Sequence, residues 1–348
     1  QATGGYVTDA VSRGAAAVLV RRGDGDGLEA ARAAGVAVIE APRVDQALCG
    51  RLAESFFGHP ARRLAVVGIT GTNGKTTTAF LAQHILQQAG VPCGLIGTVW
   101  NDTGAGRTPA DLTTPGAIEL SRLLSEMVAH GCGAVAIETS SHALQQGRCD
   151  ALDVRVGVFT NLTGDHLDYH ATMDDYADAK VRLFERLSGD AWAVVNAGDA
   201  YGPRMVRDFA GAPGHVVPCV VRDGASSSTT MRGAIAGRPC SATIFEESRC
   251  GTRARFDGPW GSVEVTLPLV GRYNVANTLQ ALAAAHAVTD VSRVVRAALA
   301  TAPCVPGRLE RVTAASPFGR GEGDVLSDAG TGNDHEQVGP TGLVDYAH

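Results

Sequence analysis

Long apolar runs, paired cysteines, a surplus of basic charge and internal repeats are all missing from this chain. No apolar stretch approaches the ~20 residues a membrane-spanning helix needs, so no such span is expected. No secretory leader pattern is visible. The eight cysteines (49, 93, 132, 149, 219, 240, 250 and 304) form no CxxC pair. Such dispersed spacing argues against a zinc ribbon or a disulfide framework and fits reduced thiols in a cytoplasmic protein. Net charge is −6 and the basic residues are scattered, which leaves no nucleic-acid footprint.

What is present is an ordinary globular composition, 45% apolar and 19% charged over 348 residues, enough for two or three domains with ample core. Residues 1–57 alternate helix-like and strand-like pieces: Tyr6–Arg13, Ala15–Val20, Leu28–Ala34, Val36–Ile39 and Gln46–Phe57. This predicts a small α/β domain over 1–58, broken by a linker at Gly58-His-Pro60. A longer series follows, with strand candidates at Leu64–Ile69, Gly94–Thr98, Ala134–Ile137, Val154–Phe159 and Ala191–Val195. Helical patterns at 75–89, 117–129 and 173–187 lie between most of them. Short apolar runs alternating with helices imply a mostly parallel sheet covered on both faces, assigned to a central domain over 62–310. Thr/Val-rich alternation at Ala242–Phe245 and Ser262–Leu267 predicts an antiparallel extension, and Asn274–Ala287 and Val291–Ala300 predict helices. Residues 313–340, rich in Gly, Ser and Asp, read as a flexible insert. A strand resumes at Gly342–Tyr346, so 341–348 is expected to open a further domain. The chain starts at Gln1 without methionine and stops at His348 just after that strand signal, so both ends are expected to be cut.

The most informative stretch is Gly68-Ile-Thr-Gly-Thr-Asn-Gly-Lys-Thr-Thr-Thr78, between an apolar run and a helical pattern. In that setting glycines let backbone N–H groups close around phosphates at a helix N-terminus. Lys75 can neutralise β/γ-phosphates, and Thr76 sits where a phosphate-loop hydroxyl meets Mg²⁺. The general pattern wants glycine where Ile69 stands.

Four further segments carry polar groups. Leu112-Thr-Thr-Pro-Gly116 reads, taken alone, as a helix cap before it reads as a site. Ile137-Glu-Thr-Ser-Ser-His-Ala-Leu144 puts Glu138 at a strand end, where a carboxylate reaches a cation; Ser140, Ser141 and His142 could equally cap a turn. A serine nucleophile is disfavoured, since no G-x-S-x-G is present. Thr160-Asn-Leu-Thr-Gly-Asp-His-Leu-Asp-Tyr-His170 gathers Asp165, His166, Asp168 and His170 at another strand end, as a solvated loop or a metal-competent one. Lys180, in an acidic run, reads from its residues alone as a surface ion-pair partner.

LTTPGA (112–117), ETSSHAL (138–144), TNLTGDHLDYH (160–170), GRYNVANTLQAL (271–282), VPGRLERV (305–312) and VDYAH (344–348) join GTNGKTT (71–77) in one order. By these motifs the chain resembles the Mur ligases, over nearly its whole length except about 313–340, where related enzymes are shorter. The resemblance implies an α/β central ATPase domain, a truncated N-terminal domain that binds the UDP-sugar, and a missing Rossmann-like C-terminal domain. It implies ATP-dependent addition of a diamino acid to UDP-MurNAc-L-Ala-D-Glu through an acyl phosphate, in peptidoglycan synthesis. By resemblance Gly71, Thr72, Asn73, Gly74, Lys75, Thr76 and Thr77 bind ATP, and Asn274, Asn277, Arg308 and Asp345 surround its adenine, ribose and phosphates. Thr76 and Glu138 match magnesium ligands, His166 a ligand to a second magnesium, and Lys180 a lysine carbamylated by CO₂. Lys75, Glu138, His166 and Lys180 form the implied catalytic set. Gln1, Ala2, Thr113, Thr114, Ser140, Gln146 and Arg148 match contacts to the UDP-MurNAc-dipeptide, whereas Leu112 stands where some relatives carry Asn. A monomer is expected. The domain that selects meso-diaminopimelate or L-lysine is expected outside the chain, and the fragment by itself is expected to lack full activity.

Rival readings remain. Folylpolyglutamate synthases share the loop but carry GKGS where this chain has Gly74-Lys-Thr-Thr77, and amidotransferase-associated Mur-like proteins carry a four-cysteine insert. A GTPase switch needs an NKxD motif, which is missing. A non-catalytic nucleotide-binding remnant is the last alternative.

Overall fold

The computed structural model describes residues 3–164, 169–224, 235, 237–307, 310–313 and 341–344. The N-terminal part runs α1 (Thr3–Ser12), β1 (Ala17–Arg21), α2 (Gly25–Ala33), β2 (Ala37–Ala41) and α3 (Gln46–Phe56). Strands β1 and β2 pair in parallel as a sheet of their own, over a small core of Val7, Val18, Val20 and Ala31. Asp24 and Asp45 start α2 and α3, because each carboxylate accepts an otherwise unpaired N–H of the first turn.

After a 3-10 turn at Pro60–Arg62 come β3 (Ala65–Thr70), α4 (Lys75–Gln88), β4 (Cys93–Ile96), β5 (Trp100–Asp102) and β6 (Arg107–Pro109). Then follow α5 (Ala117–Ala129), β7 (Ala134–Glu138), α6 (Ser141–Gln145), β8 (Val154–Phe159) and α7 (Met173–Glu185). Next are β9 (Ser188–Gly189), β10 (Trp192–Asn196), α8 (Gly202–Met205), β11 (Ala210–Gly211) and β12 (Val216–Asp223). A meander of β13 (Cys240–Ser248), β14 (Gly251–Gly258) and β15 (Gly261–Leu267) precedes α9 (Arg272–Val288) and α10 (Val295–Ala300). Strands β16 (Glu310–Thr313) and β17 (Thr341–Val344) pair antiparallel.

Eleven strands form one sheet, in the order β15-β14-β13-β12-β10-β8-β3-β7-β4-β5-β6. Its middle, from β4 to β13, is parallel throughout. Both edges are antiparallel, β13–β14–β15 on one side and β4–β5–β6 on the other. Along β3, Val67 and Ile69 enter a core shared with Leu81 and Ile85 of α4 and Leu279 and Leu282 of α9. Val66 enters the opposite core, with Leu123 and Leu124 of α5 and Leu183 and Phe184 of α7. Burial on both faces is what turns these strands into continuous apolar runs.

Four details differ from the sequence expectations. The antiparallel extension begins only after β13, which joins β12 in parallel. Strands β5 and β6 were not anticipated; at three residues each they are too short to show a period. Helix α10 starts at Val295 rather than Val291, because the Asp290 carboxylate accepts from Ser292 N–H and first makes a turn. Finally, α3 leaves the small sheet and packs on α5. There Gln46 Oε1 accepts from Ala117 N–H at 2.8 Å, and a Cβ on Gly50 would meet those of Ala151 and Ala117 at 3.0 and 3.2 Å.

No disulfide joins the eight cysteines. Burial pushes the Cys149 and Cys240 thiols up to about 12, which keeps them protonated at neutral pH. No helix among the described residues is long and apolar enough to cross a membrane.

Candidate nucleotide-binding and catalytic site

The loop Gly71–Gly74 joins the C-terminal end of β3 to the N-terminus of α4, the edge of a parallel sheet where ligands bind. Gly74 has φ +83°, and a Cβ there would lie 2.3 Å from Asn277 Oδ1, so both backbone hand and the approach of α9 demand glycine. The loop is fixed from the end of β8. Thr72 N–H donates to the Asn161 carbonyl (2.8 Å), Asn73 N–H to Asn161 Oδ1 (3.0 Å), and Thr160 Oγ1 to the Asn73 carbonyl (2.6 Å). Thr77 is buried in the first turn of α4.

Lys75 Nζ donates to the carbonyls of Gly71 (3.0 Å) and Thr72 (2.8 Å). Lys180 Nζ reaches the same Gly71 carbonyl at 2.9 Å, so two lysines from different helices meet on one oxygen. The surface position read for Lys180 from its neighbours is therefore wrong: the side chain is buried. Helix α7 turns Asp174 and Asp178 outward to Arg204, while Tyr176, Lys180, Leu183 and Phe184, at helical spacing, form its inner face.

Glu138 ends β7 with no exposed surface. Its Oε2 accepts from Thr76 Oγ1 at 2.9 Å and lies 3.1 Å from Thr98 Oγ1, and its Oε1 accepts from Thr98 N–H at 2.7 Å. Burial raises its carboxyl above the ordinary range, against the pull of the Thr98 N–H, the Lys75 charge and the two threonine hydroxyls. Among the described residues no three His, Cys, Asp or Glu side chains gather as a metal cluster. The donor set at Thr76 and Glu138 is a hydroxyl and a carboxylate, oxygen only, and this fits Mg²⁺, which takes few protein ligands and fills the rest from water and phosphate.

Beside Glu138 lies a second group. Thr114 Oγ1 donates to the Glu138 carbonyl (2.7 Å) and accepts from Ser140 N–H (3.0 Å), while Arg148 donates to the Thr114 carbonyl (2.8 Å). The cap reading of Leu112–Gly116 fails here, because Gly116 is the residue at the N-cap of α5 and Thr114 ties two strand-end loops together. Ser140 does cap α6, accepting from Ala143 N–H at 3.2 Å. Thr113 Oγ1 is 3.2 Å from Thr98 Oγ1, and Gln146 lies between Arg148 (2.9 Å) and the Tyr169 hydroxyl (3.4 Å). His170 Nε2 is 3.0 Å from Ser141 Oγ, but both residues are buried, so this pair offers no nucleophile to a substrate. Asn277 faces the loop at Gly74, whereas Asn274, also buried, donates to the Val270 carbonyl at 2.8 Å.

The structure thus brings Lys75, Thr76, Glu138, Lys180 and Asn277 around one loop and sets Thr113, Thr114, Ser140, Gln146 and Arg148 beside it. Gln1, Ala2, Asp165, His166, Asp168, Arg308, Asp345 and nearly all of 313–340 lie outside the described residues. Sequence reasoning marked the strand end that carries Thr160 and Asn161 but gave neither a role in holding the loop, and it passed over Thr98 and Tyr176. Thr98 follows β4 on the same edge, so the strand-end rule that found Glu138 could have found it.

Residues 69–285 match the family model of the Mur ligase middle domain. The chain is 38% identical over 304 residues to the UDP-N-acetylmuramoyl-L-alanyl-D-glutamate–2,6-diaminopimelate ligase of Geobacter metallireducens, covering 86% of this chain and 52% of that one. To the enzyme of the same name from Streptomyces coelicolor it is 39% identical over 317 residues, covering 90% and 58%. A solved structure of a UDP-N-acetylmuramoyl-L-alanyl-D-glutamate–2,6-diaminopimelate ligase is similar with a TM-score of 0.65 at 26% identity, covering 86% of this chain and 63% of that one. The chain spans about half the length of the curated relatives it matches. Since the matched segment runs from within β3 to within α9 and takes in the phosphate loop, Glu138, Lys180 and Asn277, the chain belongs to the Mur ligase family.

Proposed function

We propose that this chain carries the ATP- and dipeptide-binding part of a cytoplasmic, monomeric ligase that adds a diamino acid to UDP-MurNAc-L-Ala-D-Glu in peptidoglycan synthesis. The observation that carries the reading is the meeting of Lys75, Thr76, Glu138 and Lys180, from α4, β7 and α7, at one loop. The amino acid named in the relatives, 2,6-diaminopimelate, is the one we assign. Its recognition is assigned to a domain outside this chain. Within the chain we divide an N-terminal domain (1–58), whose last helix α3 packs on α5 of the central one, from that central domain (62–310), with 313–340 as an insert and 341–348 opening the next domain.

In the proposed reaction the free carboxylate of D-Glu attacks the γ-phosphorus of ATP, ADP leaves, and an acyl phosphate forms. The amine then attacks the acyl carbon, loses its proton, and phosphate departs from the tetrahedral intermediate. The protein's share is positioning and charge neutralisation. The N–H groups of Gly71–Thr77 receive the phosphates at the start of α4, and Lys75 exchanges two loop carbonyls for phosphate oxygens. Asn274, Asn277, Arg308 and Asp345 hold the rest of the nucleotide. Thr113, Thr114, Ser140, Gln146 and Arg148, with Gln1 and Ala2, hold the dipeptide substrate.

Two magnesium ions are assigned, one to Thr76 and Glu138, the other to His166 and a carbamate on Lys180; bound there, Mg²⁺ supplies neutralisation of the transferring phosphoryl group. Only a neutral amine reacts with CO₂, and the carbamate so formed is an oxygen ligand of the kind Mg²⁺ takes.

Lys75→Ala in the full-length protein is the test. Turnover, read as phosphate release, is expected to fall by at least about a hundredfold with an unchanged Tm, since a charge directed at a transferring phosphoryl group contributes several kcal/mol in the transition state. Phosphate release at the parent rate by a folded variant overturns the reading.

A further inference from the structure

Tyr176 has no place in the site as proposed so far, yet it touches two of its parts, Thr72 and Lys180. Its hydroxyl is 3.2 Å from Thr72 Oγ1, the second residue of the phosphate loop. Its ring lies under Lys180, with Nζ 4.1 Å from the centroid. The His170 ring packs on it at 4.9 Å, and His170 is itself held by Ser141 Oγ at 3.0 Å. Thr72 Oγ1 accepts from Thr163 N–H at 3.0 Å and lies 3.3 Å from the Thr163 carbonyl. The two hydroxyls of Thr72 and Tyr176 share one hydrogen bond, which either oxygen can donate.

Packing alone does not explain this residue. Tyr176 is fully buried, and a phenylalanine would fill the same volume without a polar atom that must find a partner. The hydroxyl is satisfied by the loop that faces the phosphates, and the ring supports the tip of Lys180. We infer that Tyr176 is a positioning residue for the nucleotide: it fixes the phosphate loop through Thr72 and aims Lys180, with the His170–Ser141 pair as its backing. This rests on the proposed nucleotide role of Gly71–Thr77. A loop held in one shape before binding loses less freedom when ATP arrives, so the effect belongs in the affinity for ATP.

Steady-state kinetics of the full-length protein with each substrate varied in turn test this. Tyr176→Phe removes only the hydroxyl, and the expected result is a KM for ATP higher by about three- to tenfold, the scale of one net hydrogen bond. The KM values for the dipeptide substrate and the diamino acid are expected to stay within about twofold. Thr72→Val breaks the same bond from the other side and serves if Tyr176→Phe fails to fold. It should raise the KM for ATP at least as much, since it also removes the two contacts to Thr163, and the double variant should be no worse than Thr72→Val alone, because the Tyr176 bond is already gone there. A role in packing alone would lower Tm and leave the substrates evenly affected. An unchanged KM for ATP, an equal rise for all substrates, or additive losses in the double variant overturns the inference. If Lys75→Ala is inactive while Tyr176→Phe binds ATP normally, only the inference fails; if Lys75→Ala is fully active, the nucleotide reading fails with it.

Discussion

Glu138 shows how much a single residue can be held against its preference. Its carboxylate has no contact with solvent, and two hydroxyls and one N–H stand in for water. Burial raises its pKa in the folded protein, so the folded state holds the proton more tightly than the unfolded chain. The stability tied to this group is complete below the ordinary carboxylate pKa and is lost as pH rises through the raised value. Glu138→Gln keeps the shape without the charge, and its amide can donate to the threonine hydroxyls. With divalent cations chelated, its Tm is expected to exceed that of the parent at neutral pH, with the gap closing toward about pH 4, where both proteins carry a neutral group. Ligase turnover should be lost in the same variant. Thermal melts at the two pH values decide the matter, and a variant less stable than the parent at neutral pH contradicts the account. Glu138 was legible in the sequence because a strand end marks it. Lys180 was not, since its acidic neighbours suggested a surface, and only the spacing to Tyr176, Leu183 and Phe184 shows the inner face.

Among the elements, the parallel strands β3, β7, β8 and β10 stood out as continuous apolar runs because both their faces are covered. Strands β5 and β6 carry no such pattern; pairing with the edge of β4 makes them strands. A similar dependence on distant partners defeated the cap reading of Thr113 and Thr114. The first turn of α5 receives a side-chain acceptor from Gln46, 71 residues earlier in the chain, and no local rule reaches that far. Gln46→Ala leaves the Ala117 N–H without that acceptor, and a loss of about 1 kcal/mol is expected from urea unfolding, the usual value of a helix cap. A change too small to measure would mean that solvent replaces the glutamine without loss.

At the scale of the molecule, the break between sheets and the break between packed units fall in different places. The strands change sheet between β2 and β3, across Gly58–Pro60, but α3 has already joined the larger unit by packing on α5. Glu54 of α3 strengthens the attachment, accepting from Ala61 N–H at 3.2 Å. Arg43, whose side chain is exposed in the extended segment before α3, offers trypsin a site on the near side of that helix. Brief digestion is expected to leave a resistant fragment beginning at Val44, read by mass spectrometry. A resistant core beginning after Arg62 or Arg63 would show that α3 leaves with the small sheet. The close fit of Gly50 against Ala117 and Ala151 also bears on engineering. Grafting the first unit of a relative onto this sheet calls for a splice near residues 42–45, with α3 left behind. A splice at Gly58 would carry away the helix that covers the start of α5 and replace it with one shaped for a different partner.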